Sequence, residues 1–271
     1  MLAAPAIRST VVSKAIVAAG LAAIALPAHA QTQDSGSDEP RRTRVVLGPQ
    51  IVPRFPGADG MAVRPYVDVS RARGDADFRF EAPDESTGFS LYNRDGFAFG
   101  PALNFEGKRR RRDTGGLDEV GFSVELGGAA QLALTPAVRA RIEARKGVTG
   151  HKGFVGMVGL DYVARDGNRW LWSIGPRVTL GDAKYARAYF GVSPREALAT
   201  GIASYRPESM VMVGATGSAS RQLTTRWGVF GYAKYDRIVG DAADSPVTRL
   251  FGNKNQWSAG AGISYTFGQG L

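Results

Sequence analysis

The chain has 271 residues, of which 44% are hydrophobic and 22% are charged, and this balance excludes a disordered protein. It contains no cysteine, which excludes a disulfide-held secreted fold. The formal net charge of +9 is modest and spread along the chain, and for a chain with the export signal described next it favours anionic lipid or lipopolysaccharide phosphates over nucleic acid as partners. One large domain is predicted, because all-β barrels often exceed two hundred residues.

The N-terminus has the pattern of a secretory signal peptide. Arg8 and Lys14 precede an apolar run at residues 15–26, and the triplet AHA ends at Ala30. A basic region, a short apolar region and an A-x-A site predict cleavage after Ala30. The alternative, a membrane anchor, is disfavoured because the run is too short to span a bilayer. Loss of the two basic residues lowers the formal charge from +9 to +7.

Apolar and polar residues then alternate along the chain with a period of two, which is typical of β-strands. In the last segment, WSAGAGISYTF, one face carries aromatic, Ala and Ile side chains and the other carries Ser, Gly and Thr. The clearest strands are predicted at residues 97–105, 120–134, 138–145, 154–162, 170–180, 227–235 and 257–267. Weaker strands are predicted at residues 43–52, 61–72, 76–82, 86–92 and 209–221.

Two features favour a transmembrane barrel over a soluble β-sandwich, which has the same alternation. The clear strands are about ten residues or longer, enough for a tilted strand to cross a bilayer. Aromatic residues also mark the ends of the apolar stripes, as in the girdles at the two membrane interfaces. The predicted girdle consists of Phe97, Phe105, Phe154, Tyr162, Trp227, Tyr235, Trp257 and Phe267. Because open sheet edges are unfavourable in lipid, we expect the sheet to close.

The connections between predicted strands support an all-β, closed antiparallel barrel with both barrel termini in the periplasm. Long and short connections largely alternate, as expected for outer loops and inner turns. This gives about 12 strands, or 10 if residues 76–92 form no hairpin. The predicted domains are the signal peptide at 1–30, a flexible tail at 31–42, the barrel at 43–267 and a C-terminal extension at 268–271.

Charged residues on the face opposite the apolar stripe are expected to line the lumen. They are Glu125, Arg139, Arg141, Glu143, Arg145, Asp161, Arg177, Lys234 and Asp236. A structural ladder of ion pairs is the favoured interpretation, and a channel for small solutes is the alternative. A basic block in a predicted outer loop suits lipopolysaccharide phosphates, although a solvated loop explains it equally well. The block is Lys108, Arg109, Arg110, Arg111 and Arg112.

The sequence contains no recognisable catalytic or metal-binding motif. His151 is the only histidine after the signal peptide, and no carboxylates have the spacing of metal ligands. A membrane hydrolase pairing His151 with a serine is one interpretation, but we favour a solvated loop histidine. No cofactor and no enzymatic activity are predicted.

Four stretches carry a resemblance to a known family. They are VPRFPG at residues 52–57, FGPALNFEGKR at 99–109, YFGVSPREA at 189–197 followed by GIASYRPES, and GDAADSPV at 240–247. Over residues 44–267 the chain resembles the MltA-interacting protein (MipA/OmpV) family of outer-membrane proteins. The resemblance implies an outer-membrane barrel. Some members are described as scaffolds that link a murein-degrading lytic transglycosylase to a murein synthase, others as porin-like or adhesive proteins.

The sequence therefore predicts an exported, non-enzymatic barrel in the outer membrane of a Gram-negative bacterium. The resemblance favours a scaffold for murein (peptidoglycan) remodelling enzymes at the cell envelope, with a lytic transglycosylase and a murein synthase as partners. The alternative is a narrow porin-like channel for small hydrophilic solutes. One departure from barrels of this kind is the GQGL extension, which follows the terminal aromatic residue, Phe267.

Overall fold

The structure, a computed structural model, describes residues 39–268 and consists almost entirely of antiparallel strands. The predicted signal peptide, most of the predicted tail and the last three residues lie outside the described residues. The strands are β1 (Arg41–Pro53), β2 (Met61–Arg73), β3 (Thr87–Gly88), β4 (Tyr92–Arg94), β5 (Phe97–Glu106), β6 (Ser123–Thr135), β7 (Val138–Gly147), β8 (Phe154–Asp166), β9 (Trp170–Gly181), β10 (Met210–Gln222), β11 (Trp227–Val239) and β12 (Asn255–Phe267). The helices are α1 (Ala183–Phe190), α2 (Pro194–Thr200), α3 (Asp241–Asp244) and α4 (Pro246–Phe251).

All twelve strand segments belong to one curled sheet, which confirms the all-β antiparallel prediction. Sequential strands pair from β5 through to β12, and β12 then pairs with β1, which pairs with β2. The free edge of β5 carries the short strands β3 and β4. Among the described residues no backbone pairing joins β2 to β3, β4 or β5, so closure of the ladder stays a prediction.

The predicted hairpin at residues 76–92 differs from the structure. Residues 76–86 form no strand, and only β3 and β4 follow before β5. Ten strands therefore have ten or more residues, and two are short edge pieces. Residues 76–86, which we call the inserted segment, place Asp84 and Glu85 against side chains of the lumen. Charge pairing across the sheet, rather than strand pairing, fixes this part of the chain.

The burial of side chains is inverted relative to a water-soluble sheet. Val63, Val67 and Ile142 are 73%, 59% and 56% exposed, whereas Arg177 and Asp161 on the other face are each 1% exposed. Such an apolar outer surface and polar interior are typical of strands that face lipid. Glycine permits close strand contact in places: a Cβ on Gly175 would lie 1.8 Å from the Leu160 carbonyl oxygen.

The predicted girdle aromatics lie on the outer surface, and their contact with membrane interfaces stays a prediction. Seven of the eight are exposed, and Tyr235 is half-buried because its hydroxyl donates to Asn255 Oδ1 at 2.8 Å. Neighbouring rings contact one another, as in Trp227–Tyr265 and Tyr235–Trp257, with centroids 4.7 and 4.5 Å apart. Such pairs stabilise adjacent strands.

The two ends of the sheet differ in their connections. At one end, called the turn end, residues 136–137, 167–169 and 223–226 form short turns, and the first and last strands have their outer termini there. At the other, called the cap end, residues 54–60, 107–122, 182–209 and 240–254 form longer connections. The cap end holds the apolar core, in which Phe55, Tyr185, Tyr189, Phe190 and Ile238 pack together.

Local sequence explains the cap helices. Asp182 caps α1 by accepting a hydrogen bond from the Tyr185 N–H at 2.8 Å. Ser193 and Glu196 form a capping box at the start of α2, with Pro194 in the first turn. The helix ends at Gly201, whose φ of 73° suits a glycine. The stretch YFGVSPREA therefore encodes the folded cap rather than a plain exposed loop.

Candidate functional site

The inserted segment enters the lumen and is held there by two acidic residues. Asp84 Oδ2 lies 3.1 Å from Arg177 Nε and 3.2 Å from Lys234 Nζ, and it accepts a hydrogen bond from Thr216 at 2.8 Å. Glu85 forms an ion pair with Arg139 and lies 3.5 Å from Arg141 Nε. These contacts connect the segment to strands β7, β9, β10 and β11.

Ion pairs, and at one end a hydrogen bond between His151 and Glu125, link these groups into one continuous network across the lumen. Asp161 lies between two arginines, with its Oδ1 2.6 Å from Arg177 Nη2 and its Oδ2 2.7 Å from Arg139 Nη2. The successive partners are Asp236, Lys234, Asp84, Arg177, Asp161, Arg139, Glu85, Arg141, Glu143, Arg145, Glu125 and His151. Breaking such a buried network at one member leaves unpaired charges, which is costly.

All nine charged residues predicted for the lumen belong to this network. Most are buried; Arg141 and Lys234 are half-buried, and Lys234 lines the cavity described below. Sequence reasoning missed Asp84 and Glu85, which it assigned to an outer loop. The charges did contain a signal: the nine residues include five cations but only four carboxylates. Asp84 and Glu85 raise the number of carboxylates to six, so the imbalance pointed to acidic partners elsewhere in the chain.

His151 is buried rather than solvated, which corrects the favoured interpretation of this residue. Its Nε2 lies 3.0 Å from Glu125 Oε1, and its Nδ1 accepts a hydrogen bond from the Gly153 N–H at 3.0 Å. Because Nδ1 accepts a hydrogen bond from a backbone N–H, the ring proton lies on Nε2, which donates to Glu125. The ring also packs edge-on against Tyr185, with centroids 4.8 Å apart. The burial arises because Glu125 projects from β6 toward this loop.

The geometry around His151 does not assemble a hydrolytic site. Both ring nitrogens are engaged, and the nearby Ser123 hydroxyl contacts the His151 backbone N–H at 3.1 Å rather than the ring. Ser123 also lies 3.2 Å from the Tyr189 hydroxyl. A nucleophile must contact its general base, and here it does not. Within residues 39–268 no three His, Cys, Asp or Glu side chains are grouped to hold a metal ion.

The basic block has two kinds of residue. Arg109 is 3% exposed and donates to the Tyr189 and Asp118 carbonyl oxygens at 3.1 and 2.9 Å, so it fixes the cap and is removed from the predicted lipid-contacting set. Arg111 pairs with an exposed carboxylate of the same loop, and Arg112 lies 3.9 Å from Asp113. Lys108 and Arg110 are exposed and form no ion pair among the described residues. Contact of the block with lipopolysaccharide stays a prediction.

A cavity of about 1470 Å³ occupies the part of the lumen that the inserted segment leaves open. Its inner lining includes Tyr66, Glu125, Arg145 and Lys234. Its rim at the cap end is rich in cations: Arg54, Arg64, Lys108, Arg110 and Arg112. Ligand pockets are typically roughly 300–1,000 Å³, so this cavity is large enough for a sizeable molecule.

Comparisons with known proteins identify a family and distant folds. A family model described as MltA-interacting protein MipA matches residues 45–267. No curated protein matches the chain. No helix within residues 39–268 is long and apolar enough to cross a membrane.

Several solved structures match over most of the chain at low identity. A bacterial polysaccharide outer membrane secretin is 9% identical, with 84% of this chain and 98% of that chain covered and a TM-score of 0.35. A FadL homologue from Pseudomonas aeruginosa is 9% identical, with 84% and 69% covered and a TM-score of 0.32. The outer membrane protease OmpT from Escherichia coli is 11% identical, with 84% and 97% covered and a TM-score of 0.29.

Proposed function

Since the chain belongs to the MltA-interacting protein MipA family, we propose that it is an outer-membrane barrel that scaffolds murein-remodelling enzymes. The match confirms the resemblance carried by residues 44–267. The observation that carries the proposal is the partly obstructed lumen: Asp84 and Glu85 hold the inserted segment inside the sheet through buried ion pairs. A lumen obstructed in this way suits a structural role on the outer surface better than free diffusion through the centre.

The proposed orientation puts the turn end in the periplasm and the cap outside, because inner turns of such barrels are short and outer loops are long. The exposed arginines at the turn end are Arg41, Arg71, Arg73, Arg94, Arg169, Arg221 and Arg226. The exposed carboxylates there are Glu39, Asp75, Asp77, Glu81 and Asp95, so positive charge is in excess. Such a surface suits an acidic partner by charge complementarity. This excess supports docking of a murein enzyme on the short turns.

A binding measurement with matched variants tests the scaffold. The processed barrel in lipid nanodiscs is titrated with a purified lytic transglycosylase of the MltA type. We expect Arg169→Glu with Arg226→Glu to weaken binding about tenfold, because two charges at the interface rim reverse sign. The control reverses two exposed cap residues, Lys184 and Arg195, and is expected to leave binding unchanged. Absence of binding by the unaltered protein, or equal loss in both variants, would contradict the scaffold.

A narrow channel is the second candidate, and the cavity favours it. The cavity of about 1470 Å³ is lined by charged groups suited to small hydrophilic solutes. In this interpretation the inserted segment is the barrier, and conduction requires its displacement. We assign no catalytic role to the protein, because His151 is committed to Glu125 and the Gly153 backbone.

A further inference from the structure

The gap between the two ends of the sheet is the feature that neither proposed function uses. We call it the seam and define it by residues 62–67 of β2 and residues 104–106 of β5, beyond the pairing of Leu103 with Thr87 of β3. Within residues 39–268 every other long strand pairs on both sides, whereas β2 pairs only with β1. At the cap end the seam is bounded, since a Cβ on Gly107 would lie 2.0 Å from the Arg54 carbonyl oxygen.

The cavity passes through the seam to the outer surface. Val63 and Val67 of β2 point outward, while Arg64 and Tyr66 of the same strand point inward, yet all four line the cavity. Residues of both faces of one strand meet a single cavity only where the cavity continues around the strand edge. Outward-facing Phe105 lines it from the other side. The lumen is therefore connected laterally to the region that lipid chains would occupy.

The free edge of β2 is poorly suited to a further strand. Pro65 lies directly opposite Pro49 of β1, and neither can donate a backbone hydrogen bond. This pair is therefore a non-hydrogen-bonded one, so the Pro65 nitrogen faces the seam and removes a donor from the free edge. A partner strand or a second copy of this chain would lose a bond in the middle of the edge. An acyl chain offers no backbone hydrogen bonds, so it would contact the outward side chains of the seam while the backbone edge of β2 faces the cavity.

The cations at the cap end of the seam favour a lipid with a phosphorylated head group. Arg54, Arg64, Lys108, Arg110 and Arg112 line the cavity there, against only Glu106 and Asp113. Arg64 donates to the Arg54 carbonyl oxygen at 2.9 Å, and Lys108 and Arg110 form no ion pair among the described residues. Arginine and lysine clusters of this kind bind phosphate oxygens strongly.

We propose that the seam is a lateral binding site for lipid A, the phosphorylated lipid of the outer leaflet. One acyl chain lies between Val63 and Val67 on one side and Phe105 on the other, and a phosphate contacts Arg64, Lys108 and Arg110. The inference rests on the proposed outer-membrane location and goes beyond it, because it assigns a site within the wall rather than general contact with a bilayer.

Photo-crosslinking from inside the seam tests this site. Benzoylphenylalanine replaces Phe105, and in a matched control it replaces Phe154, an exposed aromatic at the cap end of β8 whose strand is paired on both sides. Phe154 also has a cation beside it, Lys146, whose Nζ lies 4.1 Å from its ring centroid. Each full-length processed protein is inserted into vesicles of phosphatidylethanolamine and phosphatidylglycerol containing lipid A, and adducts are identified by mass spectrometry.

The expected result is a ratio of lipid A to phosphatidylglycerol adducts at least about fivefold higher at position 105 than at position 154, a preference worth about 1 kcal/mol. Arg64→Glu with Arg110→Glu should reduce the ratio at position 105 to that of position 154. The same reversal at Lys184 and Arg195, which do not line the cavity, should not reduce it.

Equal ratios at the two positions would overturn the site. An adduct between position 105 and β2 of the same chain, or with a second copy, would also overturn it, since the seam would then be closed or paired. Failure of the protein to insert, or absence of any lipid adduct at position 154, would instead refute the outer-membrane location itself. The failure of the site and that of the proposed function are thereby distinguished.

Discussion

The wall formed by β7, β8 and β9 and the seam between β2 and β5 are built from the same alternating strands, but the charges that border them differ. On the wall, Arg139 and Arg177 are buried and each contacts two carboxylates. At the cap end of the seam, Lys108 and Arg110 of the connection after β5 are exposed and form no ion pair among residues 39–268. Paired charge fixes the shape of a lumen, whereas unpaired charge in a wet cavity remains available to a ligand.

The largest expected effect separates the stability of these two regions. Arg177→Ala leaves Asp84 and Asp161 buried with fewer partners and should lower the free energy of unfolding by about 3–5 kcal/mol. Arg64→Ala at the seam should cost at most about 1 kcal/mol, because Arg64 lines the cavity and forms no ion pair among the described residues. Urea unfolding of both variants in vesicles measures the difference. Equal losses would show that Arg177 in the network contributes no more to the free energy of unfolding than Arg64 at the seam.

The second effect concerns the inserted segment. Asp84→Asn with Glu85→Gln removes the charges that face Arg177, Lys234 and Arg139, and should release the segment from the wall. In planar bilayers we expect conductance steps at least about tenfold more frequent than in the unaltered protein, a shift of about 1.4 kcal/mol in the open population.

Two exposed cap carboxylates provide the control for that measurement. Glu208→Gln with Asp244→Asn should leave the conductance unchanged. If the double variant at positions 84 and 85 shows no more conductance steps than the unaltered protein, the inserted segment is not the barrier. Stable steps in the unaltered protein that change on Arg177→Glu would instead make transport its primary role.

A smaller effect is expected at His151. His151→Ala removes the hydrogen bonds to Glu125 and Gly153, while Glu125 keeps Arg145 at 2.9 Å and Asn104 at 3.0 Å. The expected loss is about 1–3 kcal/mol in the free energy of unfolding, without an envelope phenotype. Thermal unfolding measures it, and His151→Gln, which retains a donor and an acceptor, should recover part of the loss. An envelope defect in a stable His151 variant would revive the hydrolase interpretation.

The smallest effect is a pH dependence in the cap. Burial alone would raise the pKa of Glu196, but hydrogen bonds from Ser193 and the Asp118 backbone outweigh it and hold this pKa below its usual value. A lowered folded-state pKa stabilises the protein above the unfolded-state pKa, and the contribution disappears as the pH falls through the folded-state pKa.

Glu196→Gln tests this contribution. The difference in unfolding free energy between neutral and acidic pH should shrink by no more than about 1 kcal/mol, the scale of a helix cap. Glu119→Gln, an exposed residue of the same cap, is the matched control. An unchanged pH dependence in Glu196→Gln would contradict the role of this carboxylate.

Most of the long strands were predictable from sequence because their alternation is local. The last predicted strand, residues 257–267, lies within β12, and the predicted strands at 154–162 and 227–235 lie within β8 and β11. The strand predicted from residue 120 begins at Ser123 instead, since Val120 bridges to Arg109 in the cap connection. An isolated bridge of this kind does not change the alternation of apolar and polar residues around Val120, so the sequence does not reveal it.

The remaining features depend on partners far away in the sequence. The charge alternation predicts that Arg139 and Arg177 face inward, but nothing near Asp84 indicates that it meets Arg177, 93 residues later. The cap helices have eight or fewer residues, too few for a helical period to be recognised, although the S-x-x-E box at Ser193 signals the start of one. The seam is a place where two strands do not pair, and the alternation of apolar and polar residues within a strand does not indicate which strands pair.

The pairing of β1 with β12 has a consequence for biogenesis. Thr43 is opposite Phe267, so the first strand of the sheet waits for the last one to be synthesised, and its only earlier neighbour is β2. The gap in the sheet follows β2, whereas the first and last strands, β1 and β12, are hydrogen-bonded to each other. A circular permutant that links residue 268 to residue 41 and begins within the inserted segment should therefore fold with less delay, because its strands would follow one another in the order in which they meet.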